Sequence, residues 1–127
     1  MSIKKAALAA AVSFVAVTAA QADIKMAFID PLSGPFGPSG EAAYTSFLLE
    51  AEKINAAGGV NGEKVVLEVG DDACDPKQAV AVANQLVSKN VALVAGHFCS
   101  GSSIPASEVY FEEGIVQISP ASTNPQL

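Results

Sequence analysis

Apolar and polar positions alternate between two patterns from residue 24 onwards. Four short apolar runs have the length of β-strands, at residues 24–29, 63–71, 91–95 and 115–119. Helices are predicted between and after them, over residues 41–56, 75–87 and 103–113. Apolar strands that alternate with helices are typical of a parallel sheet covered on both faces. We therefore predict an α/β fold.

Residues that start and interrupt helices support this assignment. Asp75 is a suitable N-cap, Pro76 fits the first helical position, and Gln78 stands where a capping box has Glu or Gln. The segment 30–40 holds three prolines and three glycines, which predicts a loop. After the fourth strand eight residues remain, too few for a covering helix. We therefore expect the chain to be the N-terminal fragment of a longer protein.

The first 22 residues have the pattern of a secretory signal peptide. Lys4 and Lys5 precede a continuous apolar stretch over 6–17, and the small-x-small triplet Ala20-Gln21-Ala22 follows it. This apolar stretch is too short to anchor the chain across a bilayer. We predict export, with cleavage after Ala22 and a mature domain over residues 23–127.

Composition excludes several classes of function. The chain has a formal net charge of −6. Removal of the predicted signal peptide, which contains Lys4 and Lys5 and no acidic residue, changes it to −8. It contains no arginine, so a basic groove for nucleic acid is excluded. His97 is the only histidine and the acidic residues are scattered, which gives no metal-ligand spacing. We expect no metal, no cofactor and no nucleic-acid partner.

The two cysteines, Cys74 and Cys99, are expected to pair, because an exported chain folds in an oxidising compartment. A bridge across the intervening residues would stabilise the fold by about 3 kcal/mol. The alternative is a free, reactive Cys99.

Three loops follow strands one, three and four, at residues 30–40, 96–103 and 119–125. They are rich in Ser, Thr and Gly and poor in charge. The carboxyl ends of parallel strands meet at one edge of a sheet, where ligands bind. The second loop also runs into a helix N-terminus, so hydroxyls, free N–H groups and the positive helix end would suit a carboxylate. Taken singly, each serine is more typical of a turn or cap.

An enzymatic interpretation would use Cys99 or Ser100 as nucleophile and His97 as base. His97 and Cys99 are two residues apart at a strand end, so their side chains leave on the same face. However, the segment lacks the first glycine of a Gly-x-Ser-x-Gly elbow, and an oxidised Cys99 is no nucleophile. A phosphate loop is also disfavoured, because prolines in 33–40 remove N–H donors and no Gly-Lys-Ser or Gly-Lys-Thr follows. We expect no enzyme.

Three segments of the chain specifically resemble a known protein family. They are IKMAFIDPLSGPFGPSG (24–40), DDACDPKQAVAVAN (71–84) and GHFCSGSSIPASEVYFEEGIVQISPASTNPQL (96–127). They resemble the periplasmic branched-chain amino acid binding proteins of ABC transporters, and the likeness runs over the whole of 23–127. The resemblance implies a type I periplasmic binding protein, of which these residues would form the N-terminal lobe.

The same resemblance implies a monomeric periplasmic receptor without catalytic activity. It would capture Leu, Ile, Val or a related amino acid and deliver it to a membrane permease of an ABC transporter. The second lobe, the hinge and part of the ammonium site would lie beyond Leu127. A sensory ligand-binding domain of the same fold is the alternative.

The resemblance also assigns ligand-binding roles to Ser100, Ala121 and Thr123. The Ser100 hydroxyl and N–H, together with the Thr123 N–H, would bind the α-carboxylate of the ligand. The Ala121 carbonyl and the Thr123 hydroxyl would bind its ammonium group.

Two other positions follow from the comparison with the family pattern. The Cys74–Cys99 pair matches the family's disulfide, which makes His97 a structural loop residue. Ser39 stands in the binding site where relatives often carry an aromatic residue, so we expect Phe36 or Phe98 to line the side-chain pocket instead. This departure leaves the ligand's side chain open.

Overall fold

The computed structural model describes residues 22–127, and the predicted signal peptide lies outside them except for Ala22. The strands are β1 (Ile24–Asp30), β2 (Val65–Asp71), β3 (Leu93–Ala95) and β4 (Val116–Ile118). The helices are α1 (Gly37–Ala56), α2 (Pro76–Ser88) and α3 (Ser100–Glu112), with a 3-10 turn at Gly34–Phe36. The predicted strand limits differ from these by two residues or fewer.

The four strands form one sheet in the order β2-β1-β3-β4, and every neighbouring pair is parallel. Strand β1 pairs with β2 over its whole length, from Ile24 opposite Val65 to Asp30 opposite Asp71. The predicted α/β fold is therefore confirmed.

Helices cover both faces of the sheet because side chains alternate along β1. Phe28 points towards α1, where its ring lies 5.7 Å from that of Tyr44 and 5.0 Å from that of Phe47. Ala27 and Ile29 point to the opposite face and join α2 and α3 in the main core. The other buried members of this core are Ala79, Ala83, Leu86, Val91, Val94, Ala106 and Tyr110.

The two edge strands, β2 and β4, carry exposed apolar side chains. Val66 and Val69 of β2 are 36% and 38% exposed. In β4, Val116 and Ile118 are 59% and 58% exposed. An edge strand has a neighbour on one side only, so an apolar run does not by itself distinguish an edge from a centre.

The predicted loop over 30–40 is wrong in its second half, since α1 begins at Gly37 instead of residue 41. Pro38 lies in the first turn of the helix, where its missing N–H removes no hydrogen bond. Gly40 lets this turn approach the preceding loop, because a Cβ at that position would collide with the Pro31 carbonyl oxygen. The prolines and glycines therefore position the helix start.

Helix α3 also begins earlier than predicted, at Ser100 instead of residue 103, and it ends at Glu112. The Cys99 carbonyl accepts the N–H groups of Ser102 and Ser103, each at 2.9 Å. The serines assigned to the loop thus form the first helical turn.

The predicted start of α2 is confirmed at its N-cap, where Asp75 Oδ1 accepts the Gln78 N–H at 2.8 Å. The capping-box role of Gln78 is wrong. Its side-chain amide instead donates to the Asp71 carbonyl at 2.7 Å, while the Asp75 N–H donates to the Asp72 carbonyl. The Asp72 carbonyl thus accepts the Asp75 N–H, which the Gln78 side chain would accept in a capping box.

Candidate functional site

The candidate site lies at the carboxyl edge of the sheet, between β1 and β3. From β1 the chain passes to β2 on one side and then to β3 on the other. This reversal creates a crevice at the ends of β1 and β3, which is where open α/β sheets bind ligands. The three loops predicted to carry the site follow β1, β3 and β4, and they meet here.

Ser100 and Thr123, two of the predicted ligand-binding residues, are in contact. The Ser100 hydroxyl oxygen accepts the Thr123 N–H at 3.1 Å and the Asn124 N–H at 3.3 Å. Ala121 is exposed nearby, and its N–H faces the Ser119 hydroxyl at 3.4 Å. The structure thus brings the start of α3 and the loop after β4 together.

Below this contact, three serine hydroxyls converge on the backbone carbonyl of His97. Ser119 donates at 2.7 Å, Ser103 at 3.0 Å and Ser122 at 3.3 Å. Ser122 also lies 3.2 Å from the Phe98 carbonyl. The sequence alone assigns none of these three serines a specific role, although their spacing in SGSS and SPAS is visible. They fasten the loop after β4 to the loop after β3.

Gly96 fixes the path of the loop after β3. Its φ of 135° lies outside the range that other residues readily adopt, and a Cβ there would collide with the Ile29 carbonyl oxygen. The loop therefore passes close against the end of β1.

A cavity of about 120 Å³ opens in this crevice. Its lining includes the three residues expected near the ligand side chain, Ser39, Phe36 and Phe98. The two phenylalanine rings lie 6.0 Å apart and form an apolar wall. The remaining lining residues are Asp30, Pro31, Ala43 and Pro120.

Cys74 and Cys99 form a disulfide, with their Cα atoms 5.5 Å apart, so the predicted pairing is confirmed. The bridge joins the turn after β2 to the residue before α3. It also removes Cys99 as a nucleophile.

His97 is fully buried and both of its ring nitrogens are engaged. Nδ1 lies 2.6 Å from an Asp72 carboxylate oxygen, and Nε2 lies 3.1 Å from the Tyr110 hydroxyl. The ring therefore has no nitrogen to offer Ser100, and the predicted structural role of His97 fits this geometry. The sequence alone does not indicate Asp72 or Tyr110 as partners of His97.

Two carboxylates at this edge have their pKa lowered by hydrogen bonds. Burial raises the pKa of Asp72, but the bond to His97, the Cys74 N–H and the positive charge of His97 outweigh it. Burial also raises the pKa of Asp71, and a bond from the Ser33 hydroxyl with backbone N–H donors outweighs it. Both side chains act as fixed acceptors that hold the loops.

A larger cavity, of about 660 Å³, lies elsewhere, between α3 and β4. Phe111, Gln117 and Leu127 are among its lining residues, and none of the four predicted ligand-binding residues takes part. It is not at the switch point, so the smaller cavity is the better candidate.

Two further observations concern metal binding and membrane-spanning helices. Within residues 22–127, no group of three or more His, Cys, Asp or Glu side chains is placed to hold a metal ion. None of the helices in the same range combines the length and hydrophobicity that a membrane span requires.

Comparison with known proteins gives a consistent family. A family model described as periplasmic binding protein matches residues 23–127. An amino acid binding protein of Pseudomonas aeruginosa is 54% identical over 98% of this chain and 34% of its own length. A Leu/Ile/Val-binding protein of Citrobacter freundii is 50% identical over 83% of this chain and 29% of its own length.

Solved structures agree with the sequence relatives. A branched-chain amino acid transporter substrate binding protein from Streptococcus pneumoniae, in complex with isoleucine, superposes with a TM-score of 0.77 at 30% identity. The match covers 82% of this chain and 30% of that protein. The chain thus spans about a third of the length of the proteins it matches. The type I fold and the resemblance to Leu/Ile/Val-binding proteins are confirmed, and the chain belongs to the periplasmic binding protein family.

Proposed function

We propose that residues 23–127 form the N-terminal lobe of a periplasmic receptor for a branched-chain or related amino acid. The observation that carries this proposal is the pairing of Ser100 with Thr123 at the switch point, at 3.1 Å and at the start of a helix. The complete receptor would be a monomer that delivers its ligand to the permease of an ABC transporter. The names of the relatives and the export pattern of residues 1–22 support this role.

The ligand carboxylate would bind at the N-terminus of α3. No hydrogen bond within residues 22–127 engages the N–H groups of Ser100 and Gly101, which point out of the first helical turn. Together with the positive end of the helix dipole, they suit an anion. The Ser100 hydroxyl accepts a hydrogen bond from the Thr123 N–H. Both groups would turn to the carboxylate when the ligand binds. This arrangement needs no arginine.

The ligand ammonium would bind to the Ala121 carbonyl and the Thr123 hydroxyl. In the described part of the chain, neither oxygen takes part in another hydrogen bond. Both lie on the loop after β4, beside the carboxylate site. Neighbouring residues would therefore bind both charged groups of one amino acid.

The ligand side chain would enter the cavity of about 120 Å³ between Phe36 and Phe98. Ser39 lies on the α1 side of this cavity. Apolar walls with a few polar groups are typical of small-molecule sites.

The test is calorimetric titration of leucine, isoleucine, valine and threonine into the complete mature protein, expressed from its full reading frame. We expect micromolar or tighter binding of at least one of them. An absence of binding by every amino acid tried would refute the receptor function.

Ser100→Ala tests the carboxylate site. The variant loses one hydrogen bond to a charged group, so affinity should fall by about 1–2 kcal/mol, roughly 5- to 30-fold. Ser107→Ala is the matched control on the same helix, because its hydroxyl donates only to the Ile104 carbonyl at 2.7 Å. Equal affinities of the two variants would remove Ser100 from the site.

A further inference from the structure

Asp30, the last residue of β1, carries a buried carboxylate without a partner. The residue is 4% exposed and lines the cavity of about 120 Å³. Among the described residues, no hydrogen bond or ion pair engages its side chain. By contrast, Asp71 beside it in the sheet accepts the N–H groups of Leu32 and Ala73, each at 2.9 Å. Asp72 is paired with His97.

The direction of the Asp30 side chain follows from strand alternation. Asp30 is two residues after Phe28, whose ring packs on α1, so both side chains leave β1 on the same face. The start of α1 contributes Ser39 and Ala43 to the cavity on that face. The carboxyl group therefore points towards the space that the ligand side chain would occupy.

A carboxylate that is largely withdrawn from water and forms no hydrogen bond is disfavoured while it is ionised. Burial raises the pKa of Asp30, and the charge of Asp72 raises it further, while His97 opposes this only in part. A small or apolar residue would be more stable at this position. A carboxyl group retained at such a cost is typical of a functional site.

We propose that Asp30 forms a hydrogen bond with a hydroxyl on the ligand side chain. The inference rests on the receptor function proposed above and names its substrate class, a short hydroxyl-bearing amino acid such as threonine. A hydroxyl both donates and accepts, so it pairs with either protonation state of the carboxyl group. The small volume of the cavity, about 120 Å³, suits a short side chain.

Threonine and valine provide the test, since they differ only by a hydroxyl in place of a methyl group. A site built around a hydroxyl discriminates strongly against an analogue that lacks it. We expect the complete protein to bind threonine at least about tenfold more tightly than valine. Asp30→Ala should abolish this preference, and Asp30→Asn, which keeps the shape and one acceptor, should retain part of it.

Asp75→Asn is the matched control, because it changes an exposed aspartate at the N-cap of α2, where asparagine caps equally well. Its threonine-to-valine affinity ratio should equal that of the unmodified protein. Thermal melts of each variant would verify folding.

The outcomes separate the two proposals. Binding of leucine or valine with no preference for threonine, or a preference unchanged in Asp30→Ala, would overturn the role of Asp30 and leave the receptor function standing. Failure of all amino acids to bind would refute the receptor function and this inference with it.

Discussion

Replacing His97 by alanine should destabilise the protein in a strongly pH-dependent way. In the native fold, the His97 ring and the Asp72 carboxylate are fully buried and lie 2.6 Å apart. The variant leaves Asp72 buried with the Cys74 N–H, at 2.9 Å, and the neighbouring Ser102 hydroxyl as its remaining donors. Removal of one partner from a buried pair costs about 3–5 kcal/mol, because the remaining charge is uncompensated. We expect a loss of this size at pH 7.

The sign of the pH dependence follows from the pKa of Asp72. In the unmodified protein this pKa lies below its usual value of 3.8, so the stabilisation is complete above that pH and is lost only in stronger acid. Without His97, burial would dominate and raise the pKa of Asp72. The folded variant then retains a proton that the unfolded chain releases, so its stability falls as pH rises above 3.8. The gap between the two proteins should widen from pH 4 to pH 7, by up to about 1.4 kcal/mol per pH unit.

Urea unfolding at several pH values between 4 and 7 measures this gap. Tyr110→Phe is the control, because it keeps the His97–Asp72 pair and removes only the hydroxyl that lies 3.1 Å from Nε2. Its cost should be about 1 kcal/mol and should not change over this range. A loss in His97→Ala that is below about 1 kcal/mol, or that is independent of pH, would contradict the role of His97 as the buried partner of the Asp72 carboxylate.

Three further predictions concern the same edge of the sheet. Replacing Cys74 and Cys99 by serine should lower the free energy of unfolding by about 3.5 kcal/mol in the chain-entropy estimate; an unchanged thermal melt would contradict it. Burial raises the pKa of the Tyr110 hydroxyl, and the charge of Asp72 raises it further. The contribution of this hydroxyl to the free energy of unfolding should therefore decline once the pH exceeds 10.0, the usual pKa of tyrosine. Urea unfolding should therefore show a steeper alkaline loss in the native protein than in Tyr110→Phe. Gly96→Ala should cost more than about 2 kcal/mol, because of its positive φ and the Ile29 carbonyl. Gly101→Ala in α3, where a Cβ meets nothing within 4 Å, should be neutral or stabilising in the same melts.

Much of the fold could be predicted from the sequence because its signals are local. The N-cap at Asp75 and the apolar runs each report on a few neighbouring residues, and the strand limits followed within two residues. The start of α1 could not be placed in this way. Pro38 and Gly40 are typical of loops by composition, but Gly40 is required by the approach of the Pro31 carbonyl, a contact between two segments.

The candidate site was predictable to a similar depth. The loop composition predicted which segments meet at this edge, and the family resemblance assigned Ser100 and Thr123 within them. The structure places the Ser100 hydroxyl oxygen 3.1 Å from the Thr123 nitrogen, and their role in ligand binding stays a prediction. The partners of His97 were not predictable, since Asp72 lies 25 residues before it and Tyr110 lies 13 residues after it, with no motif to join them. Such pairings depend on the sheet order, which periodicity does not encode.

The carboxyl edge contains two kinds of polar group, and the contrast between them supports the location of the site. Those beneath the crevice are paired: His97 with Asp72 and Tyr110, and the His97 carbonyl with three serine hydroxyls. Those that face the crevice include the Asp30 carboxyl group and the first N–H groups of α3, which have no partner in the described chain. A buried hydrogen-bonded network resists rearrangement, so it can hold unsatisfied groups in fixed positions at a cost to stability. Polar groups held ready in this way are those that a ligand would satisfy, and they surround the same small cavity.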